Sequence, residues 1–156
     1  MKFKHIIVMT LTMLLGFSFC NVHAESIKPE ECVEKVQAAI KLAVEKGEAE
    51  ALKQVSDPNG PFVWKGTYVF SITADQAISL AHPIKPGVKG KNLLHVKDLN
   101  GVLIFAEMAK VASSSEGKGW VNYLWPKPGE KKPSPKHSYI ETLPGTNTAF
   151  GAGYWE

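Results

Sequence analysis

The sequence predicts an α+β domain in which an antiparallel sheet follows a long amphipathic helix. Two observations carry this. Apolar residues recur at helical spacing from Pro29 to Val55, while strand-like aromatic and β-branched runs fill most of the chain beyond Pro61. Those runs neighbour one another along the chain and the helical segments stand apart, which favours an antiparallel sheet over alternating βαβ units.

The first helix is expected over 29–56. Val33, Val36, Ile40, Val44, Ala51 and Val55 form one stripe, Pro29, Glu30 and Glu31 suit a first turn, and Gly47 is a weak point. Asp57-Pro58-Asn59-Gly60-Pro61 stops it. Phe62 to Ile72 reads as one strand, with Phe62, Trp64, Tyr68 and Phe70 on one face by parity. A turn at Thr73–Gln76 leads to a short strand, Ala77–Ala81, closed by His82-Pro83. Ile84 to Asn92 is loop-like. Asp98-Leu99-Asn100-Gly101 is a turn, with a helix cap at Asn100, before a helix over Val102–Ala112. Three strands follow: Gly119–Trp125, His137–Leu143 and Thr148–Trp155. Lys127–Lys136 is read as the connection between the first two.

The beginning of the chain reads as an export signal. Lys2 and Lys4 precede an uncharged apolar run from Ile6 to Phe19, and Val22-His23-Ala24 suits signal peptidase, so cleavage is expected after Ala24. The run is shorter than the roughly 20 residues that span a bilayer. An uncleaved anchor and a lipoprotein processed at Cys20 are the rival readings, the second opposed by bulky Phe19. Residues 25–156 would then form one domain, 132 residues long, with no further span and a periplasmic or secreted location. Cys32 would be its lone cysteine, which precludes an internal disulfide and reads as a buried helix residue.

All the positive residues are lysines, and loss of Lys2 and Lys4 lowers the formal charge from +3 to +1. That charge, without a basic stripe, does not suit a nucleic-acid binder. With no arginine for bidentate clamps, an anion must be held by lysine, histidine, aromatic donors or backbone N–H groups.

Several marks occur in order: the aromatic strand with Trp64, His82-Pro83, Gly90-Lys91-Asn92-Leu93, Lys97–Gly101, Gly117–Val121, Tyr123–Pro128, Lys136–Ile140 and Phe150–Tyr154. Together, over about 61–155, they resemble the single Cache domain, type 2, of bacterial chemoreceptors and sensor kinases. The resemblance implies a PAS-like fold: a long N-terminal helix on a five-stranded antiparallel sheet, with helices and loops covering a small pocket. It implies sensing of short carboxylates outside the membrane. Such receptors continue into a membrane helix and a signalling module. This chain ends at Glu156, so it is expected to be a free-standing member that needs a membrane receptor or kinase as partner, with a homodimer as a further expectation.

Six residues are the ligand-binding candidates: Trp64, His82, Tyr123, Trp125, Lys136 and Tyr139. Tyr123 and Trp125 share a strand face and suit a pocket wall, or equally a sheet core. Lys136 supplies charge and Tyr139 a directional donor for a carboxylate. Their opposite parity allows both to face one pocket only if Lys136 precedes the strand or sits at a bulge. His82 is read as a pocket-edge donor, or as a simple strand terminus before Pro83. No serine or cysteine nucleophile motif accompanies it, so no catalytic residue is assigned. Asp98 lacks the acidic company of a calcium loop, and no histidine spacing suits zinc, so neither metal nor cofactor is expected. The leading expectation is a small organic acid ligand of two to four carbons. A ligand-free interaction protein of the same fold and a small hydrolase are the alternatives.

Overall fold

The computed structural model describes residues 26–156. The expected leader, its cleavage after Ala24 and Cys20 lie outside them. The first helix is two: α1 (Pro29–Lys46) and α2 (Glu48–Val55). The break falls at Gly47, whose φ of 92° is outside the helical region and is adopted readily by a residue lacking Cβ. The buried stripe is Cys32, Val36, Ala39 and Ala43, rotated from the expected one, and Val44 is 71% exposed. The smallest side chains lie against the sheet and let the helix approach closely. Val33 and Ile40 flank that contact, half-buried.

Six strands and a helix follow, β1 (Val63–Trp64), β2 (Thr67–Thr73), β3 (Ser79–Ala81), α3 (Ile104–Ala112), β4 (Lys118–Pro126), β5 (Pro133–Thr142) and β6 (Thr148–Trp155), with a single 3-10 turn, Pro86–Val88, between β3 and α3. Every strand pairing is antiparallel. The order β1-β2-β6-β5-β4, with β3 also on β2, fills five columns because β1 and β3 pair with opposite ends of β2. Two apolar layers sandwich this sheet. Val69, Tyr139, Phe150 and Ala152 meet α1 and α2 on one face; Tyr68, Phe70, Ile72, Val121 and Ile140 meet Ile104, Phe105 and Met108 of α3 on the other. Full burial of a side chain such as Phe150 contributes roughly 1.5–3 kcal/mol.

The strand expected over Phe62–Ile72 is a hairpin. Trp64 pairs with Thr67 across a two-residue turn, Lys65-Gly66, in which both residues have positive φ, 44° and 78°. Such turns match the natural twist of paired strands. The consequence is a change of face. Phe62 and Trp64 join the α1 side, while Tyr68 and Phe70 point to the α3 side.

Strand β5 begins four residues earlier than expected, which puts Lys136 mid-strand, opposite Tyr123 on β4 and Trp155 on β6. Pro135 is tolerated because the β5–β6 pairing ends at Lys136, so its missing donor interrupts no ladder. Helix α3 starts after the turn, and Asn100 does not cap it. Asp98 organises that turn: Oδ1 accepts from the N–H groups of Asn100 and Val102, and Oδ2 from Leu124 N–H on β4, at 2.8–2.9 Å.

Gly151 and Gly153 leave the α3-side face of β6 bare. A Cβ at Gly153 would lie 2.2 Å from Ser138 Oγ, 2.5 Å from the His137 carbonyl oxygen and 2.9 Å from Lys136 Cε. The carbonyl is backbone and cannot move aside. Gly153→Ala is therefore expected to cost about 1–3 kcal/mol, read as a drop of roughly 3–10 °C in melting temperature. An unchanged melting curve would refute this packing.

Candidate functional site

On the α3 side of the sheet, Tyr68, Phe70, His82, Tyr123, Trp125 and Lys136 converge on a cavity of about 10 Å³, with Phe105 closing it from α3. That volume holds about one water molecule. A larger space of about 110 Å³ adjoins it, sharing His82, Phe105 and Trp125 as walls and bounded beyond them by Lys85, Val88, Leu93 and Val96.

Lys136 dominates the electrostatics. It is only 1% exposed. Its Nζ lies 4.1 Å from the centre of the Trp155 ring and 4.5 Å from that of Tyr68. Aromatic faces favour the cation without neutralising it. Among the described residues no carboxylate pairs with Lys136. Burial, with the charge of Lys85 acting in the same direction and nearby Cys32 opposing, brings the ammonium down to about 7.

His82 forms one wall, its ring 4.7 Å from that of Tyr68. Its Nδ1 accepts the Lys85 N–H at 3.1 Å, which places the neutral ring's proton on Nε2. Burial first, then the charges of Lys136 and Lys85, hold its pKa down to about 3. The imidazole is thus a neutral donor at ordinary pH. The strand ends at Ala81, just before His82-Pro83, as the strand-terminus reading expects, and His82 sits at the cavity wall.

Tyr123 faces the cavity from β4, but its hydroxyl is engaged with Ser138 Oγ at 2.8 Å. Burial pushes the phenol far up, so it is a neutral wall. Trp125, half-buried, stands edge-on to Tyr123 and Phe105 and separates the two spaces. Lys85 lies across its other face, Nζ 4.4 Å from the ring centre.

The structure thus brings together four of the six candidates: His82, Tyr123, Trp125 and Lys136. Tyr139 lies on the opposite face in the α1 layer, where its hydroxyl donates to Glu141 Oε2 at 2.7 Å. The reason is parity: β5 pairs with β4 without a bulge, so residues 136 and 139 face opposite ways. Trp64 is also on that face, under Lys35 and beside Glu31. Its buried indole N–H is directed at Glu31 and helps hold that carboxyl below the usual carboxylate range, without reaching good hydrogen-bond geometry. The Lys65-Gly66 turn moved it there. Tyr68, Trp155, Phe105 and Lys85 belong to the site and were not among the candidates. Tyr68 was signalled by its shared parity with Phe70; the Trp155 contact depends on the β5–β6 register, which local pattern does not reveal.

An antiparallel sheet between α1–α2 on one face and α3 on the other, with a small cavity beside a buried lysine under α3, is the arrangement of a PAS-like domain. The Cache domain model dCache_2 matches residues 28–156. The chain belongs to the Cache domain family. The methyl-accepting chemotaxis protein McpP of Pseudomonas putida KT2440 is 34% identical over 76 residues, 49% of this chain and 14% of that protein; the chain thus spans about one seventh of that relative. Among solved structures, a Cache chemosensory domain described for its carboxylic acid recognition is similar, with a TM-score of 0.68, 27% identity and coverage of 81% of this chain and 91% of that one. The periplasmic sensor domain of a chemotaxis protein gives a TM-score of 0.65 at 25% identity, over 81% and 88%.

Proposed function

We propose that this Cache sensor domain is an extracytoplasmic receptor for a small organic anion, a short carboxylate, held by Lys136 with His82 Nε2–H as second donor. The carrying observation is the buried lysine without a carboxylate partner among the described residues. A buried charge is ordinarily paired; here two aromatic rings back the ammonium and the cavity lies beside it. A ligand carboxylate completes the pair. The similarity to a domain that recognises carboxylic acids supports this ligand class. The leader-like beginning, Met1 to Ala24, supports export.

The chemistry is that of a binder. The Cys32 thiol is buried and pushed up to about 12, so it is no nucleophile. His82 is held neutral with Nδ1 already engaged, so it donates rather than abstracts. Signalling to a membrane receptor or kinase is part of the same proposal. A thermal-shift screen against acetate, propionate, pyruvate, lactate and butyrate tests it. At least one acid is expected to raise the melting temperature by several degrees at millimolar concentration, by mass action on the folded state. A flat screen would favour a ligand-free interaction role.

A further inference from the structure

We propose that the preferred ligand is an unbranched monocarboxylate of about four to six carbons, its carboxylate on Lys136 and its tail in the apolar space beyond Trp125. This rests on the anion-binding reading above and adds the chemistry of the rest of the ligand.

The two spaces differ in kind. Beside Lys136 there is room for one water-sized group, so one carboxylate oxygen fits there in place of water. The adjoining space of about 110 Å³ is bounded beyond the shared walls by Val88, Leu93, Val96 and Lys85, the last through its aliphatic stem, since its ammonium lies over the Trp125 ring. A cavity of about 150 Å³ takes a benzene ring, and on that scale the adjoining space takes roughly four aliphatic carbons. Trp125 and Phe105 line both spaces, so a molecule with its head at Lys136 reaches the second by passing the Trp125 edge. The Trp125 ring has one side under exposed Lys85 and is only half-buried, so it is the partition able to move aside. A second carboxylate in the tail would lose its water among apolar side chains, which disfavours dicarboxylates.

Isothermal titration of the protein with acetate, butyrate, pentanoate, octanoate and succinate at pH 6.5 tests this. Affinity is expected to rise about fourfold per methylene from acetate to pentanoate. It should fall again for octanoate, and succinate should bind at least tenfold more weakly than butyrate. Val96→Phe fills the second space and is expected to reverse the order, so that acetate exceeds pentanoate. Val88→Phe, on a half-exposed loop turn, gives the same readout with less risk to folding. Affinity that is flat or falls with length, or an order unchanged by both variants, overturns this inference; if Lys136→Met still abolishes binding in that case, the anion site itself stands. No binding of any acid overturns both.

Discussion

Replacing Lys136 with methionine is expected to raise the stability of the unliganded protein and to abolish anion binding. The methionine keeps an unbranched apolar stem and removes the buried ammonium. Losing an unpaired buried charge is favourable, here by about 1–3 kcal/mol near neutral pH, or a rise of roughly 3–10 °C in melting temperature. Binding loses its one full charge, a penalty of about 2–5 kcal/mol, or roughly 30- to 5,000-fold in Kd. Thermal melts and titration calorimetry on the same two proteins read both quantities. The opposite signs matter: a lysine serving only the fold would be missed by stability and irrelevant to affinity. A variant that melts lower and binds equally well would remove Lys136 from the site.

Stability and affinity should also move in opposite directions with pH. The ordinary lysine pKa of 10.5 falls to about 7 in the folded protein. Between those values the unfolded chain carries a proton that the folded protein has released, so stability rises with pH across that window. Below about 7 both states are protonated and the burial cost is fully present. A bound carboxylate requires the ammonium, so above about 7 affinity should fall, approaching tenfold per pH unit until the pKa of the liganded lysine is reached. Neighbouring titratable groups do not reverse this. Tyr68 is raised to about 12, Cys32 to about 12 and Tyr123 higher still, so all three stay neutral. His82, ordinarily 6.5 and here about 3, adds its own rise in stability between those values but is already neutral at pH 7. Calorimetry at pH 6.5, 7.5 and 8.5 in buffers of differing ionisation enthalpy should show proton uptake on binding, increasing with pH. A Kd independent of pH over that range would refute the role assigned to the lysine.

Much of the fold was legible because its signals are local. The change from helical period to alternating aromatic runs marks the passage from α1 and α2 to the sheet, and the paired glycines of β6 lie in a recognisable strand. Half the site followed from the same grammar, since Tyr123 and Trp125 share a face by simple alternation. The parity conflict between Lys136 and Tyr139 was also visible, and an unbulged β5 resolves it in favour of Lys136. The misplacement of Trp64 has a small cause. Lys-Gly is a weak turn signal beside Asn-Gly, and reading across it as continuous strand inverts the face of everything before it. The rotated stripe of α1 was hidden by size, since hydropathy alone favours Val33 and Val44 over the small Cys32 and Ala43 that the contact admits. What no local pattern encodes is register between distant strands, and that sets the meeting of Lys136 with Trp155.

The bare strip at Gly151 and Gly153 bears on how sharply the domain can discriminate. A free lysine side chain samples many rotamers, and ordering it on a ligand costs up to about 2 kcal/mol. Here the lysine stem lies close over Gly153, and the ammonium is held between two rings before any ligand arrives. That ordering belongs to folding rather than to binding. The anion meets a cation already aimed, so even a ligand of few atoms can be bound usefully, and one whose charge sits an ångström out of place finds no flexible arm to follow it.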